Sequence, residues 1–259
     1  MKKLLTAIAF IGMTCAGLGH AAEKTVRIGT EGAYAPFNYT DASGQLKGFE
    51  IDLAMALCEE MKVKCVLVQQ DWDGMIPALL AKKYDAIMAS MAITEERKQK
   101  VDFSDKYYNV PSKFVHKKGS GIQDVSPEAL KGKTVGVQRG TIQDNYLTEL
   151  YEKKGVRITR YGTQEEANLD LTAGRVDLLF ADSVALSDGF LKTDAGKGYE
   201  FVGPDFTDPK WFGSGVGVAV RKGDNELREA FNKAITAVRA SGKYDEIAKK
   251  YFDFDIYGK

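Results

Sequence analysis

A chain of 259 residues is long enough to bury a sizeable core without help from metals or cross-links. Its 44% hydrophobic and 28% charged residues are ordinary for a globular protein and exclude a disordered one. Lys plus Arg equals Asp plus Glu at 36 each, so the basic surplus of a general nucleic-acid binder is missing.

In chain order, Lys2 and Lys3 precede an apolar run from Leu4 to Met13, and Gly19-His20-Ala21 offers small residues at the −3 and −1 positions of a cleavage site. This pattern predicts a secretory signal peptide over residues 1–21 and a periplasmic mature chain. An amphipathic first helix is the alternative, but Leu4 to Gly19 has no polar face. Cys15 invites a lipoprotein reading, and Gly12-Met13-Thr14 makes a poor lipobox for it. Beyond this segment no apolar run approaches the ~18 residues of a membrane span. Cleavage would leave Cys58, Cys65 and His116 as the whole Cys/His complement, too little for a Cys/His metal site, so no metal and no cofactor are expected.

Val26 to Gly29 reads as a strand, and Phe49 to Met61 as a helix with Ile51, Leu53, Ala54, Leu57 and Cys58 on one face. Val63 to Val68 (strand), Gly74 to Ala81 (helix) and Asp85 to Met88 (strand) follow, and Thr94 caps a short helix towards Lys100. In an oxidising compartment Cys58 and Cys65 are expected to form a disulfide tying the helix to the next strand; two buried thiols are the alternative. The pattern restarts after Pro111. Lys113 to Lys117 alternates like a strand, with His116 a solvated residue on it, and Ser126-Pro127-Glu128 reads as a helix start. Thr134 to Val137, Val156 to Tyr161 and Val176 to Phe180 read as strands, followed by helices after Thr141, over Glu165 to Ala173 and over Asp182 to Leu191. Lys117 to Gly121 and Ala195 to Gly198 are surface turns; Asn225 to Ala240 and Tyr244 to Tyr251 are helical. The alternation implies an α/β protein with mainly parallel sheets.

Ligands in such folds bind beyond the carboxyl ends of the strands, where helix N-termini also point. Ala89-Ser90-Met91-Ala92, Gly140-Thr141-Ile142-Gln143 and Ala181-Asp182-Ser183 are junctions of this kind. Arg97, in the first turn after Thr94, presents a fork that matches a carboxylate; a surface pair with Glu95 or Glu96 is the plainer alternative. Asp182 reads equally as an N-cap. Glu31 and Tyr34 after the first strand, and Trp72 after the third, suit a cation on an apolar stem, or else capping and core packing.

Taken together, these residues resemble the periplasmic amino-acid-binding proteins of ABC importers, in the branch that binds lysine, arginine, ornithine and histidine. The shared residues are Tyr34-Ala35-Pro36-Phe37, Gly48-Phe49-Glu50-Ile51-Asp52-Leu53, the Cys58/Cys65 pair, Lys83-Tyr84-Asp85-Ala86, Ile93-Thr94-x-x-Arg97, Gly132-Lys133-x-Val135-Gly136-Val137, Asp170-Leu171-x-x-Gly174-Arg175-x-Asp177 and Gly215-x-Gly217. The resemblance implies the type II periplasmic-binding-protein fold: two α/β lobes joined by a two-strand hinge, lobe 1 being residues 22–110 plus 212–259 and lobe 2 residues 111–211. It implies a monomer that carries a small amino acid or derivative between the lobes to the membrane permease of an importer, with no nucleic-acid partner and no catalytic residue. Arg97, with the N–H groups of Ala92 and Ile142, would hold the α-carboxylate. Asp182 and the Ser90 carbonyl would take the α-ammonium. Tyr34 and Trp72 would sandwich the side chain, and Glu31 would meet the distal cation with the Ala89 carbonyl and Gln143 as polar neighbours; Gln138 and Thr141 would also touch the ligand. Ala92, Ala89, Gln138 and Ile142 stand where relatives often carry Ser or Thr, Ser, Leu and Thr. Ala92 leaves one ammonium donor without a hydroxyl acceptor, which raises an opine ligand as the alternative; a periplasmic dehydratase of the same fold is the enzyme alternative.

Overall fold

The structure, a computed structural model, describes residues 24–258, so the expected signal peptide lies outside the described residues. The first lobe opens with β1 (Thr25–Thr30), a small antiparallel sheet of β2 (Ala33–Tyr34), β3 (Asn38–Thr40) and β4 (Leu46–Lys47), then α1 (Phe49–Glu60), β5 (Lys64–Gln69), α2 (Met75–Leu80), β6 (Ala86–Ile87), α3 (Glu95–Lys98) and β7 (Val101–Tyr108). The second lobe runs through β8 (Ser112–Lys117), β9 (Thr134–Gln138), α4 (Ile142–Leu150), β10 (Arg157–Tyr161), α5 (Gln164–Thr172), β11 (Leu178–Asp182), α6 (Ser183–Leu186) and β12 (Tyr199–Phe206). After α7 (Pro209–Phe212) the chain returns with β13 (Val216–Arg221), α8 (Asn225–Ala240) and α9 (Lys243–Ala248).

Each lobe is built on a five-stranded sheet, ordered β5-β1-β6-β13-β7 in one and β10-β9-β11-β8-β12 in the other. β1, β5 and β6 are parallel, as are β9, β10 and β11; β13 and β7, and likewise β8 and β12, pair antiparallel. The sheets are therefore mixed rather than mainly parallel. The antiparallel strands are those that flank the two passages between the sheets, where no crossover helix intervenes.

Burial explains why these segments order. α1 lays Phe49, Leu53, Leu57 and Cys58 on a core shared with Ile28, Val218, Phe231 and Tyr244. Phe37 stacks on Tyr108 with ring centroids 4.7 Å apart. In the second lobe Phe114 and Phe180, paired across β8 and β11, stack at 4.2 Å among Val135, Leu147 and Tyr151. Gly48 precedes α1 where a Cβ would stand 2.2 Å from the Phe37 carbonyl oxygen, so only glycine lets the chain turn there into the helix. Cys58 and Cys65 are disulfide-bonded, Cα to Cα 6.0 Å, joining the last turn of α1 to β5. A loop this short stabilises the fold by about 2–3 kcal/mol.

Three local expectations change. His116 is buried, not solvated: β12 pairs over β8, Glu200 lies opposite His116 with an oxygen 3.6 Å from Nε2, and Ser120 Oγ is 2.7 Å from Nδ1. Ser126-Pro127 starts only a turn, closed by the Leu130 N–H on the Ser126 carbonyl, because β9 begins at Thr134. The helix expected over Asp182 to Leu191 is one α-turn followed by a π-helical turn over Ser187–Leu191.

Candidate functional site

The parallel strands of both sheets send their carboxyl ends towards one cleft with about 560 Å³ of empty space, mouth included. All twelve residues singled out in the sequence line it. Glu31 follows β1 and Tyr34 lies in β2; Trp72 follows β5; Ala89, Ser90, Ala92 and Arg97 follow β6. Gln138 ends β9, Thr141, Ile142 and Gln143 open α4, and Asp182 ends β11. The sequence reading missed Asn109, Val110 and Ser112 on the outward passage and Phe212, Gly215 and Val216 on the return. The restart after Pro111 was the one signal that could have found the first group.

The charged groups are few and buried. Glu31 is 5% exposed, and Gln138 from the other lobe donates to its Oε1 at 2.6 Å. Burial pushes its carboxyl up to about 7 against that hydrogen bond, with Asp71, Glu50 and Asp73 adding to the push. Asp182 is an N-cap as the plainer reading had it: its Oδ1 accepts from the N–H groups of Val184 at 2.8 Å and Ala185 at 3.2 Å. It is nevertheless pushed up to about 7 by burial, which outweighs those bonds. Arg97 keeps some exposed surface, but its guanidinium is crowded by protein, and desolvation pulls its pKa down to about 10. It lies over the Trp72 ring at 5.2 Å and donates to the Ala92 carbonyl at 3.1 Å. Among the described residues no carboxylate lies within ion-pair distance of it. With both carboxyls ionised, as beside a bound cation, two carboxylates against one guanidinium leave the cleft negative by one charge.

The remaining polar groups are held in place. Thr141 caps α4, accepting from the Asp144 N–H at 3.2 Å and donating to the Gln138 carbonyl at 2.8 Å. Gln143 donates to Ser112 Oγ at 2.8 Å. Ser90 sits at φ 54, a left-handed conformation uncommon for serine. Its N–H and Oγ both bond Glu50, whose carboxylate also accepts from Asn38 and Tyr107. The lobes meet at the rim through Arg139 with Asp73 and through Asn145 with Glu96. At Gly189 a Cβ would stand 2.7 Å from the Ala35 carbonyl oxygen of the facing lobe. Such exposed pairs are each worth about 0–1 kcal/mol, so the rim itself fastens the lobes lightly.

No described helix is long and apolar enough to cross a membrane. The family described as bacterial extracellular solute-binding proteins, family 3, matches residues 26–254. The L-arginine-binding protein of Pseudomonas aeruginosa is 58% identical over 238 residues, covering 92% of each chain. The lysine/arginine/ornithine-binding periplasmic protein of Escherichia coli is 48% identical over 260 residues and the full length of both. The solved structure of an ancestral arginine-binding protein bound to arginine superposes with a TM-score of 0.81 at 40% identity, covering 89% of this chain and 99% of that one.

Proposed function

The chain belongs to the bacterial extracellular solute-binding proteins, family 3, and from that premise we propose that it binds a cationic L-amino acid, arginine foremost, between its lobes and delivers it to an ABC importer. It is a solute-binding protein of the type II periplasmic fold, not an enzyme. The observation that carries the ligand reading is the charge count of the cleft. Arg97 matches the α-carboxylate, Asp182 and the Ser90 carbonyl the α-ammonium, and Glu31 the distal cation, with the N–H groups of Ala92 and Ile142 completing the carboxylate site. Tyr34 and Trp72 flank the aliphatic stem, and Ala89, Gln138, Thr141 and Gln143 line its far end. A ligand of net charge +1 brings this cleft to neutrality; an opine, with its second carboxylate, does not, and would set that carboxylate against the buried Asp182.

Titration calorimetry with arginine, lysine, ornithine, histidine and glutamine tests the reading. Arginine is expected to bind at least as tightly as lysine, since a planar guanidinium can stack on Trp72 while bonding Glu31. Glutamine should bind roughly 10- to 150-fold more weakly, because a neutral amide leaves the Glu31 carboxylate with the Gln138 hydrogen bond but no cation in a desolvated site, at a cost of about 1.5–3 kcal/mol. Glu31→Gln should narrow that gap by weakening arginine. Equal affinity for glutamine and arginine sinks the cationic reading, and octopine far tighter than arginine would install the opine one.

We assign the lobes to residues 22–110 plus 212–259 and 111–211, the protein being an exported monomer with its signal peptide removed near Ala21. The light rim fastening supports lobes that part to admit ligand and close on it. Solution scattering should give a smaller radius of gyration with saturating arginine than without; an unchanged radius counts against closure.

A further inference from the structure

We propose that Glu50, which does not line the cleft, is the positioning residue of the α-ammonium site: it holds Ser90 in the left-handed conformation that presents the Ser90 carbonyl. This rests on the ligand reading above. Glu50 is fully buried in the first turn of α1. It accepts from the Ser90 N–H at 2.8 Å and Ser90 Oγ at 3.0 Å, from Asn38 Nδ2 at 2.6 Å, and from the Tyr107 hydroxyl. Both donors of Ser90 are thereby used, while among the described residues its carbonyl accepts from no protein donor. With both donors committed, that carbonyl is the Ser90 group left to accept from a ligand cation at full strength, Oγ being turned to Glu50.

The conformation needs a holder. A non-glycine residue at φ 54 is disfavoured intrinsically, and it persists where its surroundings over-determine it. Two charge-assisted bonds from one rigid carboxylate do this. Each carboxylate oxygen also receives one obligatory N–H donor, Ser90 N on Oε1 and Asn38 Nδ2 on Oε2. A glutamine places an NH2 donor where one of these oxygens stands, so one of the two N–H groups would face a donor instead of an acceptor.

The test compares arginine with 5-guanidinopentanoic acid, which is arginine without its α-amine. Wild-type protein is titrated first: failure to bind arginine refutes the ligand reading, whatever Glu50 does. Given arginine binding, Glu50→Gln should weaken arginine at least tenfold and the des-amino analogue much less, so that the ratio of their dissociation constants collapses. Equal losses for both ligands, with the ratio kept, would make Glu50 a structural residue and overturn the proposal. Should Glu50→Gln fail to fold, Tyr107→Phe removes one donor from the same carboxylate without touching the cleft. It should shift the ratio in the same direction by a smaller factor, and an unchanged ratio there overturns the proposal too.

Discussion

Replacing Arg97 by alanine should weaken arginine binding by roughly two to four orders of magnitude, the ~3–5 kcal/mol lost when one partner of a buried charge pair is removed. The guanidinium is held ready before any ligand arrives. Thr94 caps α3 by accepting from the Arg97 N–H at 3.2 Å, the Ala92 carbonyl takes Nη1, and Trp72 lies beneath. Preorganisation of this kind costs the free protein. Desolvation lowers the Arg97 pKa well below its ordinary value, to about 10, so the empty cleft carries a penalty of up to about 3 kcal/mol, less what the exposed part of the side chain recovers. The unliganded alanine variant should therefore melt no earlier than the parent, although it loses the stacking on Trp72. Arg97→Lys keeps a charge but not the fork or the Ala92 bond, and should fall between the two. Calorimetry and thermal melts on the three proteins check this. Arginine bound as tightly by the alanine variant removes Arg97 from the site.

The split between what the sequence foretold and what it did not follows the topology. Glu31, Trp72, Ser90, Gln138 and Asp182 were legible because each ends, or closely follows, a parallel strand, and a βα repeat puts its chemistry at those ends. The passages between the lobes were not. Whether Asn109, Ser112 or Val216 lines the cleft depends on how β7 and β13 pair with each other at the sheet edge, a contact made across nearly half the chain with no local signature. The apolar run of β13, Val216 to Val220, fits a buried helix segment or a buried strand equally well by periodicity. His116 shows the same limit. Alternation placed it on one face of β8, but only the return of β12 decides that this face is covered. Gln138 was named for the ligand, yet in the fold its amide bonds Glu31 across the cleft and the Gly162 carbonyl at 3.1 Å, a pairing between lobes that spacing cannot reveal.

Arginine affinity should fall as pH falls through 7, by about tenfold between pH 8 and 6 for each of Glu31 and Asp182 that must shed a proton to bind. Both carboxyls are raised by burial, from 4.5 to about 7 for Glu31 and from 3.8 to about 7 for Asp182. In the unliganded protein each folded-state pKa lies above its unfolded value. The stability this contributes is fully present below about pH 4 and is lost as pH rises through 7, at about 1.4 kcal/mol per unit per group. The unliganded protein should therefore lose stability between about pH 4 and 7, where the unfolded chain has already released protons that the empty cleft still holds. A bound cation reverses this by pairing with the ionised carboxylates, so binding expels protons, and the stabilisation by saturating arginine should grow with pH over the same window. His116 works the other way below its ordinary range: burial lowers its pKa, so acid destabilises the fold through it, and Glu200 opposite moderates the effect. The Glu31→Gln and Asp182→Asn variants separate these contributions, since each should flatten the pH dependence of binding while leaving the His116 limb untouched. Calorimetric titrations in buffers of different ionisation enthalpy count the protons released directly. A dissociation constant flat from pH 8 to 6, with no proton release, would mean that neither carboxyl is protonated in the empty cleft.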